Sequence, residues 1–110
     1  MIRTELKRGA AELTILSILE DGPLHGYEIS RQIEYQSNGA LRYTLAALYP
    51  LLYRMENRGW LLGEWGRGQN GKRRRSYRIL PRGRKMLKPM RAEWVDLFRA
   101  LRRVARVTHA

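Results

Sequence analysis

The chain has 110 residues, which is the size of a single domain. It contains 22 Lys and Arg against 10 Asp and Glu, and its formal charge of +12 favours nucleic acid as a partner ahead of a membrane surface. With no cysteine and only two histidines, the composition excludes disulfides, thiol catalysis and structural zinc, and we expect neither a metal nor a cofactor. No apolar run approaches the roughly 18 residues that span a bilayer, and the N-terminus lacks a signal peptide's apolar core, so we expect a cytoplasmic protein.

The first predicted helix runs from Leu6 to Glu20, and its apolar side chains cover more than one face. One apolar stripe of the helix can pack in the domain's own core. The additional apolar surface therefore predicts that the helix also packs against a second partner. Leu13 and Leu16 are the candidates for a contact with another copy of the chain. The turn residues Asp21-Gly22-Pro23 then end the helix.

Two further helices are predicted with a short connection between them. The second spans Leu24 to Gln36 and ends at Ser37-Asn38-Gly39, residues that tolerate left-handed backbone. The third spans Thr44 to Arg58, with Thr44 as its N-cap. One face of the third helix is apolar and consists of Leu45, Leu48, Leu52 and Met55. Two short helices joined in this way match a helix-turn-helix.

The third helix is the candidate recognition helix. The side chains that we expect to reach phosphates and base edges lie on its polar face and just before it: Arg42, Tyr43, Thr44, Ala47, Tyr49, Tyr53 and Arg54. An ordinary amphipathic surface helix is the alternative for this stretch taken alone.

After Trp60 the pattern changes to two short strands, Leu61 to Trp65 and Ser76 to Leu80, around a loop rich in glycine and arginine. Gln69-Asn70-Gly71 supplies turn residues. Four consecutive cations precede the returning strand: Lys72, Arg73, Arg74 and Arg75. A hairpin of this kind beside a recognition helix is a wing that follows the neighbouring phosphates, while a solvated charged hairpin is the alternative.

The last predicted helix runs from Arg84 to Val107 and carries a heptad-like apolar seam. The seam consists of Leu87, Met90, Trp94, Leu97, Leu101 and Val104. At about 1.5 Å per residue the helix exceeds 30 Å, too long to be buried against so small a domain. We expect the seam to form a homodimer with the surplus face of the first helix, the alternative being a monomer in which the helix folds back.

Several motifs together resemble one family of bacterial regulators. They are Gly22-Pro23-Leu24-His25-Gly26-Tyr27-Glu28-Ile29, Leu48-Tyr49-Pro50, Arg54-Met55-Glu56 with Gly59, Glu64-Trp65, Gly71 to Tyr77, and Gly83-Arg84. In this combination and spacing they resemble the PadR family of transcriptional regulators, from about Glu5 to Leu101, and the length is similar to its short subfamily. Two positions depart from the family pattern, Ala46 where glycine is usual and Leu80-Pro81 where threonine is usual.

The resemblance implies a mainly α fold with a small β-hairpin, a winged helix-turn-helix followed by a long C-terminal dimerisation helix. Residues 1–80 would form the DNA-binding domain and residues 81–110 the dimerisation helix. It further implies a dimeric repressor at a palindromic operator in double-stranded DNA. Trp94 stands where some short members take a planar hydrophobic or aromatic effector, although a plain core residue is the alternative for it.

Two other classes of function compete with this reading. A nucleoid-associated or RNA-binding protein of similar charge would bind without sequence preference, but it would need neither the seam nor a two-fold target. An enzyme fits the residues poorly, because His25 has no evident partner, the carboxylates are scattered and no glycine-rich phosphate loop follows a strand. We therefore expect no catalytic residues, and a structural role for His25 at the start of a helix.

Overall fold

A computed structural model describes residues 2–68 and 70–108 of the chain. In chain order the elements are α1 (Thr4–Leu19), β1 (Leu24–His25), α2 (Gly26–Gln36), α3 (Leu45–Asn57), β2 (Leu61–Arg67), β3 (Arg73–Ile79) and α4 (Pro81–Val104). This architecture confirms the predicted class, a winged helix-turn-helix with a long last helix. Gln69, predicted to lie in the turn of the hairpin, is outside the described residues.

The sheet has three antiparallel strands in the order β1-β3-β2. Leu24 pairs with Tyr77 and His25 with Ser76, so the prediction that the second helix begins at Leu24 is wrong. The backbone is still extended at His25, which is the N-cap of α2. Glu28 stabilises this start, because its carboxylate accepts the His25 backbone N–H at 2.9 Å. His25 therefore has the structural position predicted for it.

Left-handed residues end α2 and α3. Asn38 has φ +52° and Gly39 +79°, and the Gly39 N–H donates to the Glu34 carbonyl at 2.8 Å. Gly59 has φ +77°, and the next N–H, that of Trp60, donates to the Met55 carbonyl at 3.0 Å. Both are Schellman-type ends that satisfy the last free carbonyls of a helix.

The core lies between α1, α2, α3 and the sheet. Its fully buried members include Ile15, Leu16, Leu19, Ile29, Leu48, Leu52 and Met55. Three of the four predicted apolar positions of α3 are thus confirmed, whereas Leu45 is 36% exposed because it stands in the first turn, beyond the edge of the core.

The last helix starts against the domain and then leaves it. Pro81 occupies the first helical position, where a missing N–H costs nothing. Gly83 is buried. A Cβ at this position would lie 2.4 Å from the Trp60 carbonyl oxygen, so the close approach of the two backbones requires glycine. Leu87 is the last buried residue of α4, and its remaining residues are intermediate or exposed. The helix ends at Val104 rather than at the predicted Val107, shortly before Arg106 takes a positive φ of 59°.

Candidate nucleic-acid interface

The polar face of α3 is presented to solvent by a well-fixed helix. The Thr44 hydroxyl accepts the Ala47 N–H at 3.2 Å and so caps the first turn, as predicted. Tyr53 is 66% exposed and Tyr49 is 45% exposed, and Ala47 and Arg54 are exposed beside them. Because Leu48, Leu52 and Met55 hold the opposite face in the core, these polar side chains have a fixed direction.

Tyr43 does not belong to this exposed face, and the prediction that it contacts DNA conflicts with its position. Its side chain is only 8% exposed, and its hydroxyl donates to the Lys7 carbonyl of α1. Its own carbonyl accepts the Ser30 hydroxyl at 2.9 Å. Burial also raises the pKa of the phenol, so the neutral form is favoured. The Tyr43 ring therefore anchors the segment before α3 to α1 and α2.

Arg42, the cation before the helix, is exposed and already has a partner. Its Nε lies 2.8 Å from a carboxylate oxygen of Glu34, and its side chain is 73% exposed. An exposed ion pair of this kind contributes little to stability and can exchange for a phosphate. Arg42 thus stays accessible at the entrance to α3.

The wing divides its side chains between two faces, because successive residues of a strand alternate. Arg67 pairs with Arg73, Trp65 with Arg75 and Gly63 with Tyr77, so these six share one face. The guanidinium carbon of Arg73 lies 5.0 Å from the centre of the Trp65 ring. Lys72, Arg73 and Arg74 are exposed, as expected for cations that meet phosphates.

Arg75 differs from the other wing cations because it is bound to α3. Its Nη2 lies 2.7 Å from a Glu56 carboxylate oxygen that also accepts the Gly63 N–H at 3.1 Å. The Glu56 side chain is 16% exposed and that of Arg75 34%. A Cβ at Gly63 would lie 2.3 Å from the Arg75 Nε, so glycine at this position leaves room for the Arg75 side chain to reach Glu56. This Glu56–Arg75 junction fixes the wing against α3.

A cleft of about 590 Å³ opens between the wing and the start of α2. It is lined by His25, Gly26, Tyr27, Tyr49, Trp65, Arg73, Arg74, Arg75 and Tyr77. The Tyr49 ring packs against Gly26, the first residue of α2, where a Cβ would lie 2.8 Å from the ring. Aromatic faces and guanidinium groups are suited to sugar, base and phosphate. Tyr27 and Trp65 were not predicted for this site, because only the tertiary fold brings them beside Tyr49.

The predicted dimerisation residues separate into three groups. Leu16 is fully buried and Leu87 is 3% exposed, so both belong to the core of their own domain and the prediction for them is wrong. Leu13 and Met90 are partly buried against that core. Leu97 and Val104 are exposed, and Trp94 and Leu101 are intermediate. The ring centres of Trp94 and Phe98 lie 6.0 Å apart. The second half of α4 therefore presents a continuous apolar surface.

The described residues contain no helix long and apolar enough to cross a membrane. Among the same residues, no group of three or more His, Cys, Asp or Glu side chains is placed to hold a metal ion.

Comparison with known proteins gives the same family as the sequence motifs. The model of the transcriptional regulator PadR-like family matches residues 15–89. A Mycobacterium tuberculosis protein, transcriptional regulator Rv3488, is 35% identical over 95 residues, which cover 86% of this chain and 85% of that protein.

Solved structures share the fold. A transcriptional regulator from Clostridium thermocellum is 30% identical with a TM-score of 0.85, covering 94% of this chain and 98% of its own. Bacillus subtilis PadR, solved in complex with operator DNA, has a TM-score of 0.67 at 18% identity and covers 74% of this chain and 45% of its own. At that identity the second likeness concerns the fold alone.

Proposed function

This chain belongs to the PadR-like family of transcriptional regulators, and from that premise we propose that it binds double-stranded DNA sequence-specifically as a homodimer. The observation that carries the proposal is the exposed face of α3, which presents Thr44, Ala47, Tyr49 and Tyr53 and is flanked by the wing on one side and α1 on the other. The operator complex of Bacillus subtilis PadR supports a DNA-binding role for the same fold.

In this proposal the contacts divide by chemistry. Thr44, Ala47, Tyr49 and Tyr53 read bases in the major groove, since they lie on the exposed face of the recognition helix. Arg42, Arg54, Lys72, Arg73 and Arg74 supply the salt-dependent attraction to phosphates. Arg75 contributes charge to the same region while Glu56 holds it, so its main role is to position the wing.

The chain divides by role as well, with residues 1–80 as the DNA-binding part and residues 81–110 as the dimerisation helix. Val95, Leu97, Phe98 and Val104 are between 44% and 85% exposed, which is costly for an isolated chain and favours a second copy as their partner. A two-fold dimer would place two α3 helices in successive major grooves about 34 Å apart, so its operator would be palindromic.

We further propose that the protein represses, and that a small planar hydrophobic compound releases it from DNA. The neighbouring rings of Trp94 and Phe98 support this second step, because they lie on the surface that forms the dimer. A compound bound there changes the dimer geometry, and with it the distance between the two α3 helices. A Trp94→Ala protein that still releases DNA with every effective compound would exclude this role.

DNase protection of the DNA upstream of the protein's own gene, with excess random DNA as competitor, tests the proposed function. A protected palindrome is expected. Uniform protection, or protection that the competitor abolishes, would instead indicate a non-specific nucleoid-associated or RNA-binding protein, the alternative that the charge of +12 also allows.

A further inference from the structure

A second cleft, of about 380 Å³, lies between the first turns of α1 and the start of α3. Its lining residues are Thr4, Lys7, Arg8, Arg42, Tyr43, Thr44, Ala46, Ala47, Pro50, Leu51 and Arg54. Four of them are cations and none is acidic. Among the described residues, the ion pairs of the chain include neither Lys7, Arg8 nor Arg54. Their charge is therefore not neutralised within the protein.

From these observations we infer that the cleft is a third DNA-contact surface, the α1 surface, which seats a backbone phosphate with Lys7, Arg8 and Arg54. This inference rests on the proposed function and extends it to α1, a helix otherwise expected to serve only the core and the dimer.

The position of the cleft on the circumference of α3 indicates which part of the DNA it would contact. At about 100° per residue, Tyr49 and Glu56 lie on one flank of the exposed Tyr53, and Ala47 and Arg54 lie on the other. The first flank faces the wing and the second faces α1. A helix whose exposed face enters a major groove has a phosphate strand on either side. The wing would meet one strand and the α1 surface the other.

The residues that line the cleft suit a nucleic-acid backbone better than a free anion. Ala46, Pro50 and Leu51 form an apolar wall, which suits the sugar, while the cations meet the phosphate. The Tyr43 hydroxyl, bonded to the Lys7 carbonyl, holds α1 at a fixed distance from α3. The cations are therefore held beside the helix before DNA arrives, which lowers the entropy lost on binding.

Salt titration with a random-sequence duplex tests the inference without knowledge of the operator. The Lys7→Gln, Arg8→Gln double variant removes two cations from the α1 surface. The matched control is Lys85→Gln, Lys88→Gln, which removes two exposed cations from α4. Because each phosphate contact contributes about 0.9 to the slope of log K against log salt, the α1 variant should flatten the slope by about 1 to 2 and the control should leave it unchanged.

Ethylation interference then locates the phosphate. On the segment that the wild type protects, ethylation of one phosphate per half-site should block the wild type but no longer affect the α1 variant. Arg8→Lys, which keeps the charge, should retain most of the slope, and unchanged thermal unfolding of each variant would exclude loss of the fold.

The possible results separate this inference from the proposed function. If Arg73→Gln flattens the slope while the α1 variant behaves like the wild type, the α1 surface is not a contact and DNA binding through α3 and the wing stands. An α1 variant that loses affinity with an unchanged slope acts through structure, which also overturns the inference. A wild type that binds neither this duplex nor the DNA upstream of its own gene contradicts the proposed function itself.

Discussion

Arg73 and Arg75 lie on the same face of one strand, yet their surroundings differ. Arg73 rests on the exposed Trp65 ring, whereas Arg75 is bonded to Glu56. Arg73→Gln should therefore weaken all DNA sequences alike and flatten the salt slope by about 0.9. Arg75→Gln should change the slope little and instead lower the free energy of unfolding by about 1–2 kcal/mol, because Glu56 loses a charged partner.

Salt-dependent fluorescence anisotropy and denaturant unfolding measure these two effects. Equal slope changes from both substitutions would show that Arg75 leaves Glu56 for a phosphate. A Glu56→Gln protein provides the complementary control, since it frees Arg75 and should steepen the slope.

Tyr53 is the most exposed aromatic residue of α3, at 66%, and it is our first candidate for reading bases. Tyr53→Ala should reduce affinity for the operator by about tenfold or more, since one good base contact contributes roughly 1–3 kcal/mol of discrimination. Its affinity for random DNA should change far less. Competition between the two duplexes measures the ratio, and equal losses on both would remove Tyr53 from the base-reading set.

The roles of some single residues were predictable from the sequence, and those of others were not. Thr44 was predictable as an N-cap because its hydroxyl serves an N–H three residues away. The burial of Tyr43 was not predictable, since its partner Lys7 is 36 residues away and offers a backbone carbonyl that no side-chain pattern reports. The Glu56–Arg75 bond likewise depends on the pairing of Gly63 with Tyr77, which brings Arg75 across β2.

At the scale of elements, glycine has two different roles in the helices. Gly83 of α4 lies against the Trp60 carbonyl, while Gly9 of α1 has nothing within 4 Å of its Cβ position. Gly83→Ala should destabilise the protein by about 1–3 kcal/mol, because the Trp60 backbone carbonyl cannot move aside as the end of a flexible side chain could. Gly9→Ala should stabilise it by roughly 0.5–1 kcal/mol, because alanine loses less entropy in a helix.

Thermal unfolding at equal protein concentration compares the two substitutions. The melting temperature should fall for Gly83→Ala and rise for Gly9→Ala, with each kcal/mol corresponding to roughly 4–8 °C in a domain of this size. A tolerated Gly83→Ala would mean that the start of α4 can move away from Trp60.

The elements themselves were largely predictable, because local signals determine their ends. Gly59 and Ser37-Asn38-Gly39 end helices where the sequence indicated, and the strands of the wing follow the predicted order. One exception is β1, whose two residues are extended only because β3 offers them a partner. A strand this short has no periodicity of its own, so it depends on a contact about 50 residues away that sequence patterns do not report.

At the scale of the whole molecule, α4 contacts its own domain as far as Met90 and Arg91, and it then extends the chain to 52 Å in its longest dimension. The apolar seam was predictable from its heptad spacing, but the point where its side chains leave the core of their own domain was not. That point depends on how far the core of the domain reaches, and Leu87 lies inside this limit while Leu97 lies outside it.

Phe98, absent from the predicted seam, tests whether a second copy of the chain covers this surface. It is 54% exposed and lies beside Trp94. Phe98→Gln should shift sedimentation equilibrium toward monomer by tenfold or more in the dissociation constant, because central aromatic residues carry much of an interface's energy. Operator affinity should fall with it, since each monomer then holds only one half-site.

Ala92→Gln is the matched control for this substitution. Ala92 is exposed on the opposite side of α4, about 180° from the seam at about 100° per residue, so the same polar side chain there should leave the dimer intact. A Phe98→Gln protein that is monomeric yet protects the whole palindrome would mean that DNA, rather than α4, brings two copies together. If it stays dimeric with unchanged affinity, the two copies meet through another surface, and the exposed half of α4 would need a different partner.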